Sequence, residues 1–547
     1  MFTYLHCYLP ETWAAQERAG LINANAGIRF CQSIDIEERL KFNRLAARDG
    51  ELFALLRERE MPFYIDRLQG GCFIEDYPYD MELVRSIRSM LGDKFWGFQM
   101  HEWMSNYLSD LGKLQNGGCS EWTAEAIRET IFRLFPFKNL FLESMNAEEM
   151  AQFGRPDSLE EFTANSEALF ARRQRYTDGM VLPCDSGFLA FPLELAHGAK
   201  RVMAEIGAQT PHTRVQLAFA RGMTRAYRVP FGSYYEPWGG SPFSACCYQR
   251  DNKNEWNIGS ASDFPFQTCG ENGGSSRSMQ RRMHLCSYFA GASFMAEEWG
   301  MCNTFYDWHD FELSPYGMVK RDFIRFTEKY PDIGAPVTPI AVVLPKELRA
   351  LSVGELGSDA DMWLGSTIDG HFARQIHAMR AGIRELFCAS GDMLGTEAWS
   401  LLNCTVPDAL DLVTEDCVRS EDYDYFVDLT GSSAFSAAHP GKCVAPGEVR
   451  ALLDRLLPCS ITNGDALMQL TDAGNGTFYL LLTNNSGVVR TVEHGEQLMP
   501  EAEAHLTLTC APGKQLVPLE GDASLRTDGE KIHISIPAGG FFMGRLA

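Results

Sequence analysis

A chain of 547 residues with 45% hydrophobic and 22% charged residues and a formal net charge of -23 has the make-up of a globular protein of several domains. That acidic balance excludes a nucleic-acid partner, because no surplus of cations exists to neutralise a row of phosphates, and it disfavours anionic membrane surfaces. With 10 Trp, 18 Tyr and 35 Phe, the composition suits a neutral, polyhydroxylated ligand whose C–H faces stack on aromatic rings.

The N-terminus, Met1-Phe2-Thr3-Tyr4-Leu5-His6, lacks a basic segment and a continuous apolar one. No run of about 18 apolar residues occurs, so no membrane association is expected. The 16 cysteines fall without C-x-x-C spacing, and the adjacent Cys246-Cys247 is not zinc-ligand spacing. Such usage fits reduced thiols, and a cytoplasmic location is expected.

Short β-like runs then alternate with helical ones. Ile28-Arg29-Phe30-Cys31 precedes a charged helical segment from Ile36 to Glu60, and Pro62 to Asp66 reads as the next strand. A helix around Met81 to Leu91 leads to a third strand, Phe95 to Met100, which ends in His101-Glu102-Trp103. A mostly helical insertion follows, interrupted by Asn139 to Glu143, either a strand or a helical turn. Met180 to Asp185 and the run ending at Glu205 are further strands. A helix holding Arg221 to Arg225 leads into Pro230 to Gly240, and a Gly-, Asn- and Ser-rich loop precedes a helix from Ser278 to Phe289. The run ending at Glu297-Glu298 closes the series. Strands too far apart for hairpins and separated by helices imply right-handed βα units and a parallel sheet. The expectation is a catalytic (β/α)8 TIM barrel with insertions and an N-terminal extension over residues 1–335, a doubly wound sheet being the competing architecture. No G-x-G-x-x-G or GK[ST] loop appears, so no nucleotide cofactor is expected.

Linker-like Pro331 to Pro336 leads into the buried strand Pro339 to Pro345, and Tyr425 to Leu429 is another, flanked by helical patterns. A small α/β, flavodoxin-like domain is expected over 336–459. Beyond it the pattern changes to strands and turns: Lys531-Ile532-His533-Ile534-Ser535-Ile536 alternates with period two, predicting a C-terminal β-sandwich over 460–547.

Two stretches end alike, Gly198-Ala199-Lys200-Arg201-Val202-Met203-Ala204-Glu205 and Gly291-Ala292-Ser293-Phe294-Met295-Ala296-Glu297, the second followed by Glu298-Trp299. A carboxylate at the C-terminal end of a barrel strand stands where such barrels carry their chemistry, and two facing one sugar-sized space can cleave a glycosidic bond. One protonates the leaving oxygen, and the other attacks the anomeric carbon or activates water. Glu205 is the expected acid. Glu297, in the matching Met-Ala-Glu run, is the expected second carboxylate, with Glu298 as its rival, because adjacent strand residues face opposite ways. Glu102 and Glu236, each at a strand end beside Trp103 or Trp238, are expected to hold sugar hydroxyls. His101, Tyr235 and Trp299 complete the expected substrate-binding set, while Glu143 and Asp185 are weaker candidates. The histidines show no H-x-H or H-E-x-x-H spacing, so no metal is expected. No G-x-S-x-G elbow supports a serine hydrolase.

The barrel glutamates, the passage from Leu313-Ser314-Pro315-Tyr316-Gly317 to Pro339 to Pro345, and the Asn484-Asn485 strand together resemble glycoside hydrolases of clan A, the family 42 β-galactosidases above all. In that clan the acid/base glutamate follows an asparagine on the fourth strand, whereas the Asn254-Glu255 pair here falls in a loop, which marks a divergent or separate family. The resemblance implies a carbohydrate substrate and a homo-oligomer assembled through the small α/β domain. The alternatives are a non-catalytic carbohydrate-binding barrel and a hydrolase of another bond class on the same fold.

Overall fold

The computed structural model describes residues 4–6, 10–30, 41–66, 79–134, 142, 144–185, 190–207, 213–236, 276–297, 304–305, 311–347, 362–363, 366–367, 370–387, 401–491 and 495–547. Eight parallel strands pair in chain order: β1 (Tyr4–His6), β2 (Gly27–Phe30), β3 (Phe63–Ile65), β4 (Phe95–His101), β5 (Val181–Asp185), β6 (Val202–Gly207), β7 (Phe231–Glu236) and β8 (Phe294–Glu297). The sheet curves until β8 lies beside β1, so the expected α/β barrel is the fold. A strand ahead of the run at Ile28 makes Phe95–His101 the fourth strand, not the third. Of the stretch from Asn139 to Glu143, all but the buried Leu142 lies outside the described residues.

The two similar stretches begin with the same turn. Gly198 and Gly291 sit at φ +89 and +90, where a side chain would be strained. Ala199 N–H donates to Glu194 O and Ala292 N–H to Ser287 O, both at 3.0 Å, so each helix ends in a glycine turn that returns the chain into the barrel. Register then fixes two rows across the last strands. Glu205 pairs with Tyr234 and Tyr234 with Ala296, while Ile206 pairs with Tyr235 and Tyr235 with Glu297.

Beyond the barrel come β9 (Ala335–Pro336), β10 (Ile340–Leu344), a short hairpin of β11 (Met362–Trp363) and β12 (Ser366–Thr367), β13 (Leu410–Thr414) and β14 (Tyr425–Asp428). The fully buried β10 forms the centre of a parallel sheet in the order β13-β10-β14. This sheet packs on the barrel helix Thr213–Tyr227. A Cβ at Gly222 would lie 2.1 Å from Leu412 O, so the helix backbone approaches β13 as only glycine permits. Beside it, the buried Asp411 carboxylate binds Arg221 at 2.5 Å and Arg225 at 3.0 Å, and accepts hydrogen bonds from Thr338 and Tyr423.

The remaining strands are β15 (Cys459–Asn463), β16 (Leu467–Asp472), β17 (Phe478–Thr483), β18 (Val488–Thr491), β19 (Gly495–Leu498), β20 (Ala504–Cys510), β21 (Leu516–Gly521), β22 (Ser524–Asp528), β23 (Lys531–Ile536) and β24 (Phe541–Leu546). They form antiparallel sheets in the orders β15-β20-β23-β22 and β21-β24-β17-β16-β9, with β18-β19 as a separate hairpin. The Asn484-Asn485 pair has a structural task. Asn484 Nδ2 donates to the carbonyls of Ala502, Ile536 and Pro537, and Asn485 Oδ1 accepts from Arg282 Nε at 2.8 Å, tying the sandwich to a barrel helix. Among the described residues no helix is long and apolar enough to cross a membrane.

Candidate active site

Strand alternation sends one side chain in two to the barrel axis. Tyr64, Leu182, Cys184, Met203, Tyr234, Phe294 and Ala296 form one buried cluster inside the barrel, with Trp96 packed against it. Toward the C-terminal ends of the strands this apolar plug gives way to polar groups: Arg29, Asp66, Gln99, His101 and Glu205, all buried. Arg29 ties the ring of strands together. Its guanidinium pairs with the Asp66 carboxylate, donates to the Tyr234 hydroxyl and to the Glu297 backbone carbonyl, and stands 4.9 Å from the centre of the Tyr234 ring.

His101 is the junction of the site. Its ring meets Tyr234 edge-on with centroids 5.2 Å apart, and Nδ1 lies 3.2 Å from the Gln99 amide nitrogen as placed. Nε2 stands 3.4 Å from Glu102 Oε2 and 3.8 Å from Glu205 Oε1. Because both contacts share one nitrogen, those two oxygens are no more than about 7 Å apart. Glu205 is wholly buried, whereas the Glu102 side chain keeps 30% exposure. Glu102 also bends the chain: at φ 44 it adopts the left-handed conformation, its N–H donates to Cys184 O at 2.6 Å, and the helix Trp103–Asn116 starts behind it. A non-glycine residue there costs about 1–3 kcal/mol, strain of the kind that gathers at functional sites.

Asp185 serves that same corner. Its carboxylate accepts from Met104 N–H at 2.6 Å and from the Ser105 hydroxyl at 2.9 Å, and burial pushes its carboxyl up to about 7 against those hydrogen bonds. Trp103 and Tyr235 differ from their expected place. The buried Trp103 indole donates to Glu194 Oε1 at 2.9 Å and packs on Phe170. Tyr235 lies in the outward row, buried, with its ring edge-on to His284. Neither offers an open face to a sugar, because both occupy the layer between the barrel and its helices. Glu236 ends β7 in register with Gly207, its side chain outside the described residues, as are Trp238, Glu298, Trp299 and Glu143.

Glu297 is not brought together with Glu205. Its carboxylate leaves the barrel on the outward row and meets the helices Arg277–Phe289 and Pro315–Lys329: Lys320 Nζ at 2.7 Å, Gln280 Nε2 at 3.1 Å and His284 Nε2 at 3.3 Å. Burial opposes its charge, but Lys320 and His284 prevail and hold the carboxyl at about 2. The physical reason for the difference is a one-residue offset. Met203 belongs to the barrel-interior cluster, while Met295 belongs to the outer core. The two Met-Ala-Glu runs thus sit on opposite faces.

Arg29, Asp66, Gln99, Cys184 and Tyr234 were not among the residues expected at the site. Their signal was faint: Arg29 is a lone charge in an apolar strand, and His101 stands two residues after Gln99, on the same face. His101, Cys184 and Glu205, from the neighbouring strands β4, β5 and β6, also place one ligand-type atom each within 4.8 Å of one another.

No family model matches the chain, and no curated protein matches it in sequence. Solved structures do. The catalytic module of a family 98 glycoside hydrolase from Streptococcus pneumoniae TIGR4 aligns at TM-score 0.43 and 10% identity over 100% of this chain and 98% of its own. A β-galactosidase from the haloarchaeon Halorubrum lacusprofundi aligns at TM-score 0.43 and 10% identity over 99% and 98%. α-L-Fucosidase isoenzyme 2 from Paenibacillus thiaminolyticus aligns at 0.40 and 10% over 100% and 93%. None of these likenesses fixes a family, family 42 included.

Proposed function

We propose that this chain is a glycoside hydrolase that cleaves an O-glycosidic bond of an oligosaccharide or glycoside at the C-terminal mouth of its barrel. The observation that carries the reading is the Glu102–His101–Glu205 cluster, two carboxylates sharing one imidazole nitrogen above an apolar barrel plug. Glu205 is the group that protonates the leaving oxygen, and His101, hydrogen-bonded through Gln99, keeps it oriented. The second carboxylate is Glu298. What supports it is the count from the shared turn: Glu205 stands seven residues after Gly198, and Glu298, not Glu297, stands seven after Gly291. The alternation seen in Phe294 and Ala296 favours the same residue. Glu102, the more exposed member, holds a sugar hydroxyl.

A panel of chromogenic glycosides tests this, with the anomer of the first product followed by NMR. Glu205→Gln should cost about 10²–10⁴-fold on substrates with poor leaving groups and much less on activated phenyl glycosides, which need little protonation. Glu298→Gln should cost as much on both, since no leaving group replaces a missing nucleophile or water-activating base. Full turnover by both variants on every cleaved substrate would move the site elsewhere.

A further inference from the structure

We propose that the floor of the barrel mouth is a binding site for a divalent transition-metal cation of the zinc class, held by His101 Nε2, the Cys184 sulfur and the Glu205 carboxylate. The three ligand atoms already lie within 4.8 Å of one another, and all three residues are buried. Around a tetrahedral zinc, bonds of about 2.0–2.3 Å place neighbouring ligand atoms about 3.3–3.8 Å apart. The His101–Glu205 contact, at 3.8 Å, meets that spacing as it stands, and the sulfur, within 4.8 Å of both partners, needs a movement of at most about 1 Å, within reach of a side-chain torsion. The backbone supports the set: His101 is the register partner of Cys184, Cys184 that of Met203, and Glu205 is the next inward residue after Met203.

Two further features favour a cation. Two carboxylates converge on the cluster, Glu102 Oε2 at 3.4 Å and Glu205 Oε1 at 3.8 Å from His101 Nε2. The Arg29 guanidinium nearby is engaged with Asp66, Tyr234 and the Glu297 carbonyl. A dication entering the cluster offsets this negative field. Gln99 supplies the outer partner that a ligating histidine needs: with its amide turned, the carbonyl oxygen accepts from Nδ1–H and leaves the Nε2 lone pair for the metal. Imidazole with thiolate selects zinc, cobalt or copper over magnesium and calcium, and three protein ligands leave a position for water. Binding converts the thiol to a metal-bound thiolate and releases one proton to solvent.

The consequence for turnover rests on the hydrolase reading. A metal on the Glu205 carboxylate occupies the lone pair that would carry the proton to the leaving oxygen, so the loaded protein is inhibited and a chelator restores it.

The test is titration of the chelator-treated full chain with Co²⁺, then Zn²⁺, in the absence of any glycoside. One equivalent of Co²⁺ should give a sulfur-to-cobalt charge-transfer band in the near ultraviolet that Zn²⁺ abolishes. Cys184→Ser should lose the band, and Glu205→Gln, which keeps the thiol, should bind at least about 10-fold more weakly. Circular dichroism shows whether each variant is folded. A band of unchanged size in folded Cys184→Ser, or no band in the wild type, overturns the site. Metal uptake without hydrolysis of any glycoside would sink the hydrolase reading and leave the site standing, and the reverse result would do the opposite.

Discussion

Replacing Glu297 by glutamine separates a structural carboxylate from a chemical one. The side chain is 4% exposed and held by Lys320, Gln280 and His284, and its carboxyl lies at about 2 instead of the ordinary 4.5. A depression of that size corresponds to about 3 kcal/mol of stability at neutral pH. Because the folded value is the lower one, that stability is complete above pH 4.5 and is lost as pH falls through about 2. Glutamine keeps the shape but leaves the buried Lys320 ammonium without its counter-charge, so the loss should reach about 3–5 kcal/mol. Changing both partners, Glu297→Gln with Lys320→Met, should recover a large part of it, since no buried charge is then left alone. Urea unfolding, with hydrogen exchange read in the helices Arg277–Phe289 and Pro315–Lys329, reports the loss where it arises. On the proposed hydrolase reading, turnover per folded molecule should change by less than about threefold. A Glu297→Gln protein as stable as the wild type but inactive on every glycoside would refute this reasoning and return Glu297 to the chemistry.

Three other outcomes follow from buried contacts. Gly222→Ala, which in an exposed helix gains about 1 kcal/mol, should instead cost about 1–3 kcal/mol in thermal unfolding, because the new methyl meets Leu412 O at 2.1 Å. Asp411→Asn should lower stability by up to about 3–5 kcal/mol, since Arg225 loses its carboxylate and the buried Arg221 keeps only Asp408, at 3.4 Å. Burial, opposed by the Trp103 hydrogen bond, pushes the Glu194 carboxyl up to about 8, so the folded state holds that proton more tightly than the unfolded chain. Its stabilising effect is complete below pH 4.5 and falls as pH rises to about 8, and Glu194→Gln should flatten melting temperature over that window.

By itself the sequence determined the α/β class and pointed to the strand ends where the candidate site is built. The spacing of apolar runs by helical ones implied a parallel sheet, with closure into a barrel rather than a doubly wound sheet left to the structure, and period-two alternation in Lys531–Ile536 implied an antiparallel sheet, because these are the ways such patterns bury their apolar faces. Carboxylates at strand ends directed attention to Glu205 and Glu102 for the same reason. What only the tertiary structure decided was the facing of each strand. The two Met-Ala-Glu runs are alike in letters, yet their turn glycines stand one residue out of step, and in a strand one residue reverses the face. Glu205 thus enters the barrel while Glu297 leaves it for Lys320. The meeting of His101, Cys184 and Glu205 was equally out of reach of ligand spacing, since each comes from a different strand and only the closure of the sheet brings them together. The aromatic side chains Trp103 and Tyr235 were misjudged for a related reason: adjacency to a glutamate in sequence does not tell whether a ring faces a cavity or a helix, and packing assigned both to the helix layer.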